Sequence, residues 1–296
     1  MGRHINLEAT PAVAGRVEGL KLESMRRLCH VLGDPQDAQP TVHVTGTNGK
    51  GSVARMVTAL LGAHDLSVGT FTSPHLESIN ERIARNGEPI DDDGLATILA
   101  SLEAVEPLLE QPPSYFELLA AAAYWWFADE AVAAAVVEVG LLGRFDATNV
   151  VDGVVAVLTN VGYDHTDGVG DWRRRVADEK AGIVKDGATF VLGETDPVLA
   201  DVFDATPAAA TWRRDVDFAC TSSTLAVGGW VVDLRTPGGT YEGLFLPLHG
   251  DHQADNAAVA LAAAEAFFDR PLPEDVVAEA FASVRLPGRF EVVGRD

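Results

Sequence analysis

Val42-His43-Val44-Thr45-Gly46-Thr47-Asn48-Gly49-Lys50-Gly51-Ser52 is the stretch from which the fold is read. A short β-branched run enters a glycine-rich turn, then come a lysine and a hydroxyl residue. The following residues, Val53 to Ala63, are apolar at Val53, Met56, Val57, Leu60 and Leu61, the spacing of one helix face. Strand, loop and helix in that order form a phosphate cradle. Glycines let successive backbone N–H groups turn toward one anion, and the helix start adds the positive end of its dipole. Lys50 is placed to reach β- and γ-phosphates, and a hydroxyl to join an Mg2+ shell.

The general P-loop pattern has a glycine where Val44 stands, and its hydroxyl directly follows the lysine. Here the loop resembles the shorter one of Mur-type ATP-dependent amide ligases. A glycine-rich turn without a ligand is the alternative, but a lysine and a serine at a helix start serve no packing purpose.

The 296 residues suffice for one large or two ordinary domains, and a hydrophobic share of 47% marks a chain that buries a core. No apolar run reaches the roughly 18 residues of a membrane span, and the start lacks a secretory pattern. Cys29 and Cys220 lie far apart and outside any metal-type spacing, so they read as reduced thiols of a cytoplasmic protein. A net charge of −22 argues against nucleic acid as a partner. An anionic substrate must then be held by local devices: helix ends, a few Lys or Arg, and metal ions.

In chain order, residues 1–40 read as a leading segment with a helix near Leu20–Leu32. Strands follow at Thr41–Val44 and Val68–Phe71. An acidic cap at Asp91–Asp93 starts a helix to about Leu109, and Ser114 caps another from Tyr115 to about Asp129, with Glu117 at the capping-box position. Ala133–Val139 and Val154–Thr159 read as buried strands, Trp172–Val184 as a helix and Thr189–Leu192 as a strand. This alternation predicts an α/β fold with a mostly parallel, doubly wound sheet, whose ligands sit off the carboxyl ends of strands. After Asp215, short strands at Asp217–Ala219, Thr224–Leu234 and Tyr241–Leu248, with Gly-Gly turns, predict a small antiparallel sheet over 215–250. Helices at about His252–Phe268 and Pro273–Val284 complete the pattern.

The polar residues at strand ends are the candidates for chemistry. Glu138 ends an apolar strand and reads as a phosphate-side metal ligand or a helix-capping group; Mg2+ takes one or two carboxylates plus phosphate oxygens. His165, after Asp164 at another strand end, reads as a metal or substrate contact or a satisfied polar residue. Ser73 is equally a turn serine. Lys180, taken alone, is a solvated helix lysine. His252 and Asn256 share a helix face at i, i+4, as a cap and a polar spot. Arg289 reads as a phosphate contact or a partner of a surface carboxylate.

Taken in order, Gly46–Ser52, Ser73-Pro74-His75-Leu76, Asn80-Glu81-Arg82-Ile83, Tyr115-Phe116-Glu117, Val137-Glu138-Val139-Gly140, Arg144–Asn149, Thr159–His165, Glu179-Lys180-Ala181-Gly182-Ile183, His252–Ala257 and Leu286-Pro287-Gly288-Arg289 resemble folylpolyglutamate synthase / dihydrofolate synthase, a branch of the Mur ligases. The resemblance runs over nearly the whole chain. It implies an ATP- and Mg2+-dependent ligase that adds L-glutamate to dihydropteroate or folate, and it suggests a monomer. Asn48, Gly49, Lys50, Gly51 and Ser52 would hold the ATP phosphates, Asn256 the adenine and Arg289 the phosphates. Ser73 and Glu138 would bind one Mg2+ and His165 a second, with Lys180 carbamylated as a bridging ligand; Lys50, Lys180 and His165 would be the catalytic set. Ser114, Tyr115, Phe116, Glu117, Phe145, Asp146 and Ala147 would line the pterin site, with Leu20-Lys21-Leu22 a weaker candidate.

Three departures stand out. The family has Gly-Leu-Gly-Gly-Arg where this chain has Gly140-Leu141-Leu142-Gly143-Arg144, so Leu142 is expected to alter that loop. Ala120 stands where threonine is common. The family also continues past its Leu-Pro-Gly-Arg linker into a C-terminal domain of about 100–150 residues, which helps bind ATP and glutamate. The expectation is one ATP-binding domain over residues 1–290 and the start of that linker over 291–296, binding nucleotide but ligating poorly by itself. Two rivals are a Mur-type ligase for another carboxylate and a non-catalytic nucleotide-binding module paired with a partner chain.

Overall fold

The structure, a computed structural model, describes residues 4, 22–163, 166 and 168–288. Its centre is β1 (Thr41–Thr45), buried along its whole length, which leads through the glycine-rich turn into α2 (Lys50–Gly62). β2 (Val68–Phe71), β5 (Ala134–Glu138), β6 (Val155–Leu158), β7 (Thr189–Leu192) and β8 (Ala210–Arg213) run parallel to it. The short β3 (Ile83–Arg85) and β4 (Glu88–Pro89) add antiparallel edges, giving the order β4-β3-β2-β5-β1-β6-β7-β8. Chain order reverses at β1: β2 lies to one side beyond β5, and β6 lies on the other. Such a switch point is where an open α/β sheet binds ligands.

Buried strands with no polar alternation need helices on both faces. α2 and α7 (His252–Phe268) share one apolar cluster with Val42, Val44 and Val136. Residues of the opposite parity, Ala135 and Val137, pack with α1 (Leu22–Val31), α3 (Asp92–Val105) and α4 (Tyr115–Asp129). Ala156 and Leu158 pack with α5 (Trp172–Ala181) and α6 (Ala200–Asp204). A second sheet, β9 (Ala219–Ala226), β10 (Gly229–Thr236) and β11 (Gly239–Leu246), turns Val232, Leu234 and Leu244 toward α7. α8 (Glu274–Ser283) closes that cluster.

The elements follow the sequence reading with shifted ends. The helix after Asp91 stops at Val105 because Pro107, without an N–H, passes into a 3-10 turn. The Gly-Gly turn read at Gly228-Gly229 divides the Thr224–Leu234 stretch between β9 and β10, and Gly228 there takes φ 83. β8 was missed: a four-residue, half-exposed edge strand carries no alternation to read. Among the described residues no helix is long and apolar enough to cross a membrane.

Candidate functional site

The loop after β1 has the cradle geometry. Gly46 takes φ 150, and a Cβ there would lie 1.8 Å from Thr159 Oγ1; Gly49 takes φ 81 and abuts the Asn256 amide, which a Cβ would meet at 2.5 Å. Both positions therefore need glycine for conformation and for room. Lys50 begins α2, and its Nζ donates to the carbonyls of Gly46 at 3.0 Å and Thr47 at 3.4 Å, so the ammonium lies across the turn. Ser52 is buried in the first turn, and Asn48 and Gly51 flank Gly49 and Lys50 in the same bend.

Parallel register sets Glu138 level with Val44, just short of the turn. Its carboxylate, 2% exposed, accepts the Ser73 N–H at 3.0 Å, and a Cβ on Gly51 would lie 3.4 Å from Oε2. Ser73, Glu138 and the start of α2 are thus neighbours, although far apart in the chain. Lys180, expected from its local sequence to be solvated, is instead 1% exposed, and its Nζ donates to the Gly46 carbonyl at 2.8 Å. The reason is tertiary: α5 lies under the 140–146 loop, where Arg144 N–H donates to the Glu179 carbonyl at 2.8 Å. Two lysines therefore converge on one backbone oxygen of the cradle.

Thr159-Asn160-Val161-Gly162 straps the turn from the β6 side. Thr159 Oγ1 donates to the Asn48 carbonyl at 2.6 Å, the Thr47 N–H donates to the Asn160 carbonyl at 3.0 Å, and the Asn48 N–H donates to Asn160 Oδ1 at 3.0 Å. Gly162 N–H donates to Thr47 Oγ1 at 2.9 Å. Thr159 and Asn160 were not singled out from sequence as site residues. The available signal was their place after a strand that had to lie beside β1. His165 and Arg289 lie outside the described residues, as do Leu20 and Lys21.

Asn256 sits on α7, 7% exposed, against Gly49, with its Nδ2 donating to Gln253 Oε1 at 3.0 Å. A cleft of about 470 Å3 opens beside the start of α7, lined in part by Cys220, Ser222, Asp251, His252 and Asp255. None of its lining residues belongs to the cradle. We place the site at the strand ends, where glycines, lysines and a buried carboxylate converge.

The residues assigned to a pterin site divide by accessibility. Ser114 and Glu117 form the capping box of α4: Glu117 Oε2 accepts the Ser114 N–H at 2.7 Å, and Ser114 Oγ accepts the Glu117 N–H at 3.3 Å. Phe116 is buried against Gly140 and lies 5.7 Å, ring to ring, from Phe71. Tyr115 packs under the Arg82 guanidinium. Phe145 is 39% exposed, Ala147 is half-buried, and Asp146 points inward. The Asp146 carboxylate accepts the Leu141 N–H at 2.7 Å, the Thr148 N–H at 2.9 Å and the Thr148 hydroxyl, and burial raises its pKa. Because that hydroxyl gives its proton to Asp146, His43 Nε2, 2.9 Å away, is the donor to Thr148. His43 Nδ1 is then bare and buried, and burial first, Lys185 second, lowers the imidazole pKa from 6.5 to about 3. Leu142 takes φ 60, a left-handed conformation costly for leucine, and its carbonyl accepts the Thr45 hydroxyl at 2.6 Å. A leucine therefore stands at a conformation that glycine adopts freely.

Oxygen donors of the Ser73 and Glu138 kind, beside a phosphate cradle, suit a hard Mg2+ ion, which uses few protein ligands. Among the described residues no group of three His, Cys, Asp or Glu side chains gathers as a metal cluster.

Comparison with known proteins places these features in a wider context. Residues 44–264 match the Mur ligase middle domain. The chain is 42% identical to the dihydrofolate synthase/folylpolyglutamate synthase of Mycobacterium tuberculosis, over 91% of this chain and 60% of that protein. It is 33% identical to the Bacillus subtilis protein of the same name, over 97% of this chain and 70% of that one. Among solved structures, M. tuberculosis folylpolyglutamate synthase complexed with ADP superposes with TM-score 0.88 at 43% identity, covering 91% of this chain and 63% of that chain. The chain thus spans about 60% of the length of the M. tuberculosis relative.

Proposed function

The chain belongs to the Mur ligases, in the folylpolyglutamate synthase/dihydrofolate synthase branch, and from that premise we propose that it carries the ATP-binding site of a ligase joining L-glutamate to dihydropteroate or folate. The observation that supports this most is the meeting of the buried Glu138 carboxylate with the first turn of α2, beside two lysines on the Gly46 carbonyl. Residues 1–290 are read as one ATP-binding domain, with 215–250 its small sheet.

In the proposed reaction a substrate carboxylate oxygen attacks the γ-phosphorus in line, and the bond to ADP breaks. The amino group of glutamate then attacks the acyl carbon, loses a proton and expels phosphate, leaving an amide. The protein's part is positioning and charge stabilisation. The Gly49–Ser52 loop, with Lys50, holds the phosphates, while the Thr47 and Asn48 N–H groups stay with Asn160; Lys50 needs only to leave the carbonyls it now holds. Ser73 and Glu138 would hold Mg2+, which when bound neutralises phosphate charge. His165 is proposed for a second ion, and Asn256 and Arg289 for adenine and phosphate.

Lys180 is proposed to react as a neutral amine with CO2, forming a carbamate and releasing a proton. Its burial beside the turn after β1 makes it the candidate for this addition. Labelled bicarbonate should give a carbamate resonance that Lys180→Arg lacks; an identical spectrum from both proteins would remove the modification. Ser114–Glu117 and Phe145–Ala147 are proposed to shape the pterin side, Phe145 by contact and Asp146 by holding the loop.

ADP release is the test, measured with ATP, Mg2+, L-glutamate and either dihydropteroate or tetrahydrofolate. Thermal shifts with pterins but not UDP-sugars are expected; the reverse pattern would move the chain to another Mur-type substrate.

A further inference from the structure

Arg173 and Glu194, which no step above uses, grip the backbone of one residue, Val161, from both sides. Glu194 follows β7, and its Oε2 accepts the Val161 N–H at 2.6 Å, while Arg173 Nε on α5 donates to the Val161 carbonyl at 3.1 Å. The two side chains also pair, Arg173 Nη2 to Glu194 Oε1 at 3.4 Å, and Arg173 Nη1 pairs with Asp196. Glu194 Oε1 further accepts the N–H groups of Thr195 at 3.1 Å and Asp196 at 2.9 Å, and its side chain is 8% exposed. Both polar groups of Val161 are therefore held by a charged pair rather than by a sheet neighbour.

Val161 is the middle of the strap. On one side of it Asn160 holds the N–H groups of Thr47 and Asn48, and on the other Gly162 N–H holds Thr47 Oγ1. We propose that the Arg173–Glu194 pair is a positioning clamp that sets the phosphate-binding turn through Val161, so that the crossover α5 and the end of β7 help fix nucleotide affinity. A charge-assisted pair suits the task, being stronger and more directional than neutral hydrogen bonds. The proposal rests on the nucleotide-binding reading of the 46–51 turn.

Two measurements on the intact chain test it. In the first, amide hydrogen exchange without nucleotide should speed up in Glu194→Ala at Val161 and also at Thr47, Asn48 and Gly162. Arg174→Ala, on the same helix as Arg173, breaks an exposed pair with Asp201 on α6 and should change none of these. Faster exchange at Val161 alone would mean a local staple and overturn the clamp. In the second, affinity for a non-hydrolysable ATP analogue should fall about tenfold in Glu194→Ala and in Arg173→Ala, with Arg173→Lys between these and wild type, the scale at which supporting residues act on a site. Arg173 is partly exposed, so its variants test the clamp even where Glu194→Ala fails to fold. Unchanged affinity in folded Arg173→Ala would overturn the clamp, whereas a wild-type chain that binds no nucleotide would overturn the reading beneath it.

Discussion

At position 142 a leucine occupies a backbone conformation, φ 60, that costs an L-residue on the order of 1–2 kcal/mol and glycine almost nothing. Its side chain is 5% exposed, so truncation removes packing whichever small residue replaces it. The usual order is then reversed: Leu142→Gly should be at least as stable as Leu142→Ala in urea unfolding, although glycine normally costs more than alanine. An alanine variant more stable by about 1 kcal/mol, the ordinary propensity difference, would show that the loop carries no such strain. Gly49 is the converse case. Gly49→Ala meets both φ 81 and the Asn256 amide, and should cost about 1–2 kcal/mol and weaken nucleotide binding. Chemical unfolding and nucleotide titration read the two effects separately, and an alanine variant matching wild type in both would contradict the geometry. The crowding at Gly49 could not be weighed from sequence, because Asn256 lies about two hundred residues further along the chain.

The strand β1 supplies the turn at its end and, through His43, holds the 140–149 loop. His43 is neutral when folded because burial depresses its pKa to about 3. Between pH 6.5 and 3 the unfolded chain binds a proton that the folded chain refuses, so this group's contribution to stability is complete above 6.5 and is lost as pH falls. The slope is about 1.4 kcal/mol per pH unit. Asp146, raised by burial, works in the opposite sense, but in wild type and variant alike. His43→Gln should therefore lose stability less steeply on acidification from pH 6 to pH 4 than wild type; parallel curves would mean that His43 is not held neutral. Strands and helices of this kind were legible because a buried parallel strand is a continuous apolar run and α4 announces itself by its capping box. β8 was not, since a short, half-exposed edge strand lacks a distinctive period.

Across the whole molecule, sheet order is what makes the candidate site. β5 and β6 flank β1, so Glu138 and Thr159 arrive beside a turn from which sequence separates them by roughly ninety and a hundred and ten residues. The glycine-lysine turn was legible at once, and a carboxylate at the end of an apolar strand was legible as a candidate. The burial of Lys180 and the strap at Asn160 were not, because both depend on how α5 and β6 settle against β1. Nucleotide titration of the intact chain, with and without Mg2+, bears hardest on this scheme. Wild type should bind an ATP analogue more tightly when Mg2+ is present, Lys50→Ala should lose most of that affinity, and Glu138→Gln should lose the Mg2+ enhancement while still binding. Wild-type affinity in Lys50→Ala, or an undiminished Mg2+ effect in Glu138→Gln, would mean that nucleotide and metal do not meet at these strand ends.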